Sequence, residues 1–132
     1  MIAVDSSALV AIAKREDDWM NHLAALQSAD AAMISAVNYV EVGILLRRHD
    51  LIEDQARLDA WLDALGIKVR EDLPLADVAL TAYLTYGKGF HPAGLNLADV
   101  FAYALAKTLN APLLYKGDDF VRTDIRSALQ PI

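Results

Sequence analysis

Short apolar runs alternate with amphipathic stretches along the whole chain. Four runs, at positions 2–4, 32–34, 67–69 and 112–115, have the length and composition of buried strands. Between them the apolar residues recur with the helical period of 3.6, as at Leu9, Val10 and Ile12. Helices are therefore predicted just after position 5, over 17–29, from 35 to about 48, over 53–65, from 74 to about 87, over 96–110 and over 123–129.

Residues typical of helix ends sharpen some of these boundaries. Ser6 or Ser7 is expected to cap the first helix by accepting a hydrogen bond from a free backbone N–H, which leaves Asp5 at the end of the first strand. Ser35 is expected to cap the third helix in the same way. Pro74 suits the first residue of the fifth helix, where no N–H is required.

The order of strands and helices predicts an α/β fold with a central, mainly parallel sheet. Parallel neighbours need crossover connections, which are normally helical and right-handed, so helices should cover both faces of one domain spanning residues 1–132. Ligand sites in such sheets lie outside the carboxyl ends of the strands. Asp5, Asp118 and Asp119 all follow predicted strands at that edge.

Composition and charge narrow the classes of function. The chain has 132 residues without cysteine, which excludes a disulfide framework, a thiolate zinc site and a thiol nucleophile. Its formal net charge of −6 argues against a protein that coats nucleic acid. No basic leader and no apolar run of membrane-spanning length occur, so a cytoplasmic protein without membrane contact is expected.

Two acids interrupt the apolar pattern of predicted helices. Glu41 shares its predicted inward stripe with Val37, Ile44 and Leu45, where an unpaired carboxylate is costly. The alternative is that the stripe is rotated by one position and Glu41 is exposed. Asp99 lies in the first turn of its helix, where compensation of the helix dipole explains an acid as well as catalysis does.

Taken together, the acids at strand ends and on helix faces predict a cation site. Carboxylates packed in one crevice raise each other's pKa values unless a cation stabilises their ionised forms. Mg²⁺ prefers oxygen ligands and typically takes one or two carboxylates directly, and Mn²⁺ suits the same ligands. The acids expected to converge are Asp5, Glu41, Asp99 and either Asp118 or Asp119.

Four segments in a fixed order carry a resemblance to a known family. They lie at 2–9, at 39–41, at 95–103 and at 113–125. In this order, and over nearly the full length, the chain resembles the PIN-domain ribonucleases and specifically the VapC toxins of type II toxin–antitoxin modules. Ala98 and Val100 stand where relatives often have Gly and Cys, and neither substitution removes a ligand.

The resemblance implies a three-layer α/β/α PIN-like fold and assigns the site residues. Its three core acids match Asp5, Glu41 and Asp99, and Ser7 matches a small hydroxyl residue near the site. Counting from the usual threonine position, here Lys116, selects Asp118 as the fourth acid, whereas counting back from Phe120 selects Asp119, which is preferred.

The resemblance also implies a reaction and partners. The reaction is hydrolysis of an RNA phosphodiester by a metal-activated water, with Asp5 and Asp99 binding Mg²⁺ most directly and with Glu41 and Asp119 acting through water. The implied partners are a VapB-like antitoxin, whose tail blocks the acidic groove, and a second copy of the chain in a homodimer. The histidines lack metal-ligand spacing and are expected on the surface or in loops: His22, His49 and His91.

Two rival functions fit the strand-end acids. A receiver-like or phosphotransfer α/β domain would bind Mg²⁺ and accept phosphate on an aspartate, and it would need a lysine after a late strand, for which Lys116 is the sole candidate. A non-catalytic α/β binding module would use its acids only as helix caps. Metal titration and RNA cleavage distinguish both rivals from a nuclease.

Overall fold

The computed structural model describes residues 1–129 as four parallel strands with helices around them. The strands are β1 (Ile2–Val4), β2 (Ala32–Ser35), β3 (Ile67–Arg70) and β4 (Leu113–Leu114). The helices are α1 (Ser6–Lys14), α2 (Trp19–Ser28), α3 (Ala36–Arg48), α4 (Gln55–Ala64), α5 (Ala76–Tyr86) and α6 (Leu97–Leu109), and a 3₁₀ turn covers Phe120–Arg122. Within residues 1–129, no helix has the length and apolar character needed to cross a membrane.

The sheet has the strand order β3-β2-β1-β4, and every neighbouring pair is parallel. Ala3 lies opposite Met33 on one side and Leu113 on the other, so β1 is central. The carboxyl ends of β1 and β4 are therefore side by side. This places Asp5 and the segment after β4 at the same edge of the sheet, as the alternating pattern predicted.

Helices cover both faces of the sheet, which gives the three layers expected from the sequence. On one face, Val4 and Ile34 pack with residues of α1, α2, α3 and α4. On the other face, Ala3 and Leu113 pack with α5 and α6. Neighbouring residues of β1 point to opposite faces because side chains alternate along a strand. The predicted α/β/α fold class is confirmed.

The face that α3 buries differs from the predicted stripe. Its buried residues, spaced four apart, are Asn38, Val42 and Leu46. Val40 and Ile44 are 55% and 50% exposed, so the stripe is rotated, and Glu41 lies partly exposed at its border. The apolar pattern misleads here because a polar residue, Asn38, is fully buried through hydrogen bonds that periodicity does not reveal.

The helix predicted over 123–129 is wrong. The N–H of Leu113 donates to the carbonyl of Arg126 over 2.8 Å, and the Leu113 carbonyl accepts from the N–H of Ala128 over 2.9 Å. Ser127 thereby forms a parallel bridge to Leu113. An edge strand such as β4 presents unpaired backbone groups, and pairing with them outweighs the local helical pattern.

Two helix starts also differ from expectation. Asp5 itself is the N-cap of α1, because its carboxylate accepts from the N–H of Ser7, so neither Ser6 nor Ser7 has that role. The first helical residue of α5 is Ala76, two positions after Pro74. Ser35 caps α3 as predicted.

His22 is fully buried, contrary to the expected surface or loop position. Its Nε2 lies 3.0 Å from Oδ2 of Asp18, one helical turn earlier. A charged partner of this kind makes burial of an imidazole possible, because one ring nitrogen keeps a hydrogen bond. Asp18 also contacts Nζ of Lys116 at 3.2 Å, so this pair ties α2 to the segment after β4.

Candidate active site

Asp5 is a buried carboxylate whose two oxygens have different surroundings. Its side chain is at the end of β1, and the residue is only 3% exposed. Oδ2 accepts hydrogen bonds from the backbone N–H of Ser7 at 3.0 Å and from the Ser7 hydroxyl at 2.5 Å. Oδ1 is buried and has no hydrogen-bond partner in the described chain.

Burial raises the pKa of Asp5 to about 7, and repulsion by the carboxylates of Asp99 and Glu41 adds to that effect. The hydrogen bonds from Ser7 oppose the rise because they stabilise the ionised form. Near neutral pH this carboxyl group is therefore poised between its two protonation states. A cation at Oδ1 would favour the ionised state.

Ser7 links the ends of two adjacent strands. Its hydroxyl accepts a 2.9 Å hydrogen bond from the backbone N–H of Lys116, just beyond β4, and donates its own hydrogen to Asp5. Because the lone pair toward Lys116 is occupied, the hydroxyl hydrogen is directed at Oδ2. The segment after β4 is thereby tied to the carboxylate of Asp5.

Asp99 caps its helix and also lies close to other acidic residues. It forms a capping box with Asn96, in which each side chain accepts from the other residue's backbone N–H at 3.0 Å. Burial raises the pKa of Asp99 to about 6, and repulsion from Asp119 and Glu41 contributes. Asp99 therefore caps α6 and also belongs to a group of mutually repelling carboxylates.

Electrostatic repulsion identifies the members of this group, which we call the acidic cluster: Asp5, Glu41, Asp99 and Asp119. Glu41 repels both Asp5 and Asp99. Asp119, which is exposed in the turn after β4, repels Asp99. This proximity favours Asp119 over its exposed neighbour Asp118 as the fourth acid.

The donor set of the acidic cluster fits a hard divalent cation held partly through water. Among residues 1–129, no three carboxylate or imidazole side chains are already arranged to ligate one ion together. Mg²⁺ needs only one or two direct carboxylates, and the other acids can act through bound water. The buried, unpartnered Oδ1 of Asp5 supplies the specific observation that a cation would explain.

A groove of about 420 Å³ lies between α3 and the start of α6. Glu41 lies in its wall, and Arg48 lies on the same helix two turns later. Seven residues of helix correspond to about 10 Å along the axis. The remaining lining is mainly apolar and includes Val40, Ile44 and Leu97.

Asn38 is a buried polar residue beside the cluster that the sequence pattern did not indicate. It is 0% exposed and hydrogen-bonds to residues of α1, β2 and α6. Apolar periodicity cannot identify such a position. The usable signal is local: an amide three residues after the Ser35 cap and three residues before Glu41.

The PIN-domain family model matches residues 2–126 of the chain. That match covers the sheet, all six helices and every member of the acidic cluster. The chain therefore belongs to the PIN-domain family.

Within that family, the relatives of the chain are VapC ribonucleases. Ribonuclease VapC42 of Mycobacterium tuberculosis is 45% identical over 127 residues, which cover 95% of this chain and 97% of the relative. Ribonuclease VapC30 of the same species is 38% identical over 131 residues, covering 98% of this chain and 100% of the relative. The resemblance to VapC toxins expected from the sequence is confirmed.

A solved structure supports the fold independently. The crystal structure of VapC20 from M. tuberculosis, described as a toxin that cleaves the sarcin-ricin loop, aligns with a TM-score of 0.71. The alignment covers 95% of this chain and 96% of VapC20, at 18% sequence identity. At that identity the likeness establishes the shared fold alone.

Proposed function

We propose that the chain is a Mg²⁺-dependent endoribonuclease and the toxic component of a VapBC-type toxin–antitoxin module. The observation that carries this proposal is the buried Asp5 carboxylate, with Oδ2 held by Ser7 and Oδ1 without a partner. An ionised oxygen buried in this way calls for a cation. The names of the relatives, VapC42 and VapC30 ribonucleases, supply the reaction class.

The four acids divide into direct and indirect ligands. Asp5 offers Oδ1, and Asp99 offers Oδ1 because its Oδ2 accepts from the backbone of Asn96. These two carboxylates would hold Mg²⁺, or Mn²⁺ in its place. Asp119 is exposed and Glu41 is partly exposed, and both would take part through intervening water molecules.

The proposed reaction is hydrolysis of an RNA phosphodiester by water. When bound, Mg²⁺ lowers the pKa of a water molecule and stabilises the negative charge that develops on the phosphate. Either Glu41 or Asp119 accepts a hydrogen bond from the attacking water, orients it toward phosphorus and relays its proton. One P–O bond forms as the bond to the leaving oxygen breaks, and a proton from solvent water neutralises the leaving oxygen.

The groove beside Glu41 is the proposed path of the RNA strand. Arg48 presents a guanidinium that can pair with a phosphate about two helical turns from Glu41. The apolar wall at Val40, Ile44 and Leu97 can pack against an unstacked base. Local positive charge of this kind reconciles RNA binding with the net charge of −6.

Two protein partners belong to the same proposal. A VapB-like antitoxin would inhibit the chain by placing a basic side chain among the acids of the cluster, because opposite charge relieves their repulsion. A second copy of the chain would cover exposed leucines on α5. These are Leu80 and Leu84, which are 60% and 64% exposed.

Of the two rival functions, one is set aside and the other is tested by experiment. A receiver-like or phosphotransfer domain is set aside because the chain belongs to the PIN-domain family. Lys116, the lysine on which that rival depended, instead pairs with Glu16 at 3.1 Å and Asp18 at 3.2 Å. A non-catalytic binding module is an outcome of the experiment that follows.

The test is cleavage of structured RNAs by the purified protein with Mg²⁺ or with EDTA. We expect cleavage with Mg²⁺ and none with EDTA. Asp5→Asn and Asp99→Asn should each lower the rate by roughly two to three orders of magnitude, the loss typical when a group that stabilises transition-state charge is removed.

Asp63→Asn is the matched control, because Asp63 is an exposed acid of α4 outside the acidic cluster. It makes the same chemical change and should leave the rate unaltered. Cleavage that persists in EDTA, or that both cluster variants retain, would contradict the proposal. Complete absence of cleavage by folded wild-type protein would favour the binding module.

A further inference from the structure

The side chain of Asn38 is a fully buried amide in the first turn of α3. Its Oδ1 accepts from the hydroxyl of Ser35 at 2.5 Å, and its Nδ2 donates to the hydroxyl of Ser6 at 3.2 Å and to the carbonyl of Ala98 at 3.1 Å. Both amide hydrogens are thus used. A buried amide satisfied in this way is stable only while all of its partners keep their places.

The partners of Asn38 are next to the acids of the cluster. Ser6 directly follows Asp5, and Ala98 directly precedes Asp99. The Asn38 side chain therefore bridges α1 and α6 at the residues adjoining the two proposed direct ligands. The contacts join positions 32 and 60 residues apart in the chain, so they fix tertiary geometry and not merely a local turn.

Asn38 is also coupled to the third acid of the cluster. Glu41 lies three residues further along α3, so the two side chains are neighbours on the helix surface. Ser35 accepts from the backbone N–H of Asn38 at 3.0 Å and locks the start of the helix. The position and rotation of α3, which set where Glu41 projects, are thereby tied to the same amide.

The bridge opposes a force that the cluster itself generates. Asp5 and Asp99 repel one another, and that repulsion tends to separate α1 from α6 when no cation lies between them. Hydrogen bonds from one amide to both elements oppose that separation. Groups that orient metal ligands in this way affect affinity without touching the ion.

We propose that Asn38 is a positioning residue, whose amide sets the distance between the Asp5 and Asp99 carboxylates and so determines how tightly the acidic cluster binds a divalent cation. This inference rests on the proposed metal-dependent function. It assigns to Asn38 no contact with the cation, the RNA or the attacking water.

The test is Mn²⁺ binding to the purified full chain, measured by electron paramagnetic resonance of free Mn²⁺ without RNA. Asn38→Leu keeps a side chain of similar size but removes the hydrogen bonds to Ser35, Ser6 and Ala98 without adding a charge beside the acids. We expect the affinity for Mn²⁺ to fall roughly tenfold to a hundredfold, the range for groups that orient metal ligands. Ser6→Ala, which removes one acceptor, should give a smaller loss in the same direction.

A second variant shows whether a loss of stability alone lowers the affinity for Mn²⁺. Ile67→Ala creates a cavity at the amino end of β3, the end of the sheet opposite the acidic cluster. It should lower the melting temperature yet leave Mn²⁺ affinity unaltered. If Asn38→Leu proves too unstable to purify, Ser6→Ala provides the comparison.

The kinetic signature is equally specific. In RNA cleavage, the Asn38 and Ser6 variants should need more Mn²⁺ for half-maximal rate, while the KM for RNA stays that of the wild type. Mn²⁺ affinity within twofold of wild type in both folded variants would overturn the positioning role and leave the proposed nuclease intact. A wild-type chain that binds no Mn²⁺ would overturn both.

Discussion

The hydroxyl of Ser7 donates a 2.5 Å hydrogen bond to Oδ2 of Asp5 and accepts a 2.9 Å bond from the backbone N–H of Lys116. The two oxygens of the Asp5 carboxylate therefore have different surroundings, because Ser7 bonds to only one of them. Oδ2 is held by the protein, and Oδ1, which has no hydrogen-bond partner among residues 1–129, is the proposed cation ligand. Ser7 is thus positioned to control the ionisation and orientation of the central acid.

Replacing Ser7 tests that control. Ser7→Ala removes both bonds, leaves the N–H of Lys116 without its partner and lets the pKa of Asp5 rise further. We expect a loss in Mg²⁺-dependent cleavage of roughly tenfold to a hundredfold. Ser7→Thr keeps the hydroxyl and should retain most of the activity, which single-turnover rates would show. Equal rates for the alanine and threonine variants would count against this role.

The stability of the metal-free protein should depend on pH in an unusual direction. The pKa of Asp5 is raised from 3.8 to about 7 and that of Asp99 from 3.8 to about 6, so the folded chain binds more protons than the unfolded chain between these values. The free energy of unfolding contributed by these groups therefore falls as pH rises through that window. For the buried Asp5 the change corresponds to on the order of 4 kcal/mol.

Thermal unfolding in EDTA measures this dependence. Between about pH 4.5 and about pH 8, the melting temperature of wild type should fall. That of Asp5→Asn should fall much less, because the variant lacks the titrating group. Comparing the two proteins cancels every other titration. Adding Mg²⁺ at the higher pH should restore stability to the wild type only, since the cation binds the ionised carboxylate. Parallel pH profiles for the two proteins would refute this account.

Asp99 should show opposite effects on stability and activity. Asp99→Asn keeps an oxygen that can accept from the backbone N–H of Asn96, so the capping box survives. It also removes a charge that Asp119 and Glu41 repel. We therefore expect the metal-free variant to melt at a higher temperature than wild type near pH 8 and yet to be almost inactive. A variant that is less stable than wild type yet fully active would indicate a capping role alone.

Two matched variants can show whether Asp118 or Asp119, both in the turn after β4, is the fourth acid of the cluster. Asp119→Asn should lower Mg²⁺-dependent cleavage by roughly tenfold or more, because Asp119 lies close enough to repel Asp99. Asp118→Asn makes the same change at the adjacent exposed position and should stay near the wild-type rate. The reverse ranking would place Asp118 in the cluster.

Much of the fold could be predicted from hydrophobic periodicity, because in most elements the apolar residues that follow the period are the ones that are buried. The four strands and the layered arrangement follow from it. The segment 123–129 could not be predicted, because its backbone pairs with the edge of β4 at Leu113, a tertiary contact that local propensity does not contain. The rotation of α3 was hidden for a related reason, since Asn38 is buried by hydrogen bonds rather than by apolarity.

The candidate site divides in the same way. Asp5 could be anticipated from its position after β1, and Glu41 from a charge that interrupts an apolar helix, although that helix face is rotated. The assignment of Asp99 to the site depended on the family resemblance, because a helix-capping acid and a metal-binding acid look the same in sequence. The bonds of Ser7 and the bridge formed by Asn38 required the three-dimensional arrangement, since their partners lie up to 109 residues away.

The most direct test of the central claim is cation binding at Oδ1 of Asp5. Isothermal titration of the purified chain with Mn²⁺ near pH 7.5, compared with Asp5→Asn and the exposed control Asp63→Asn, isolates that interaction from RNA binding and turnover. The account predicts binding to wild type and to Asp63→Asn and its loss in Asp5→Asn. Equal Mn²⁺ affinity in all three proteins would contradict it.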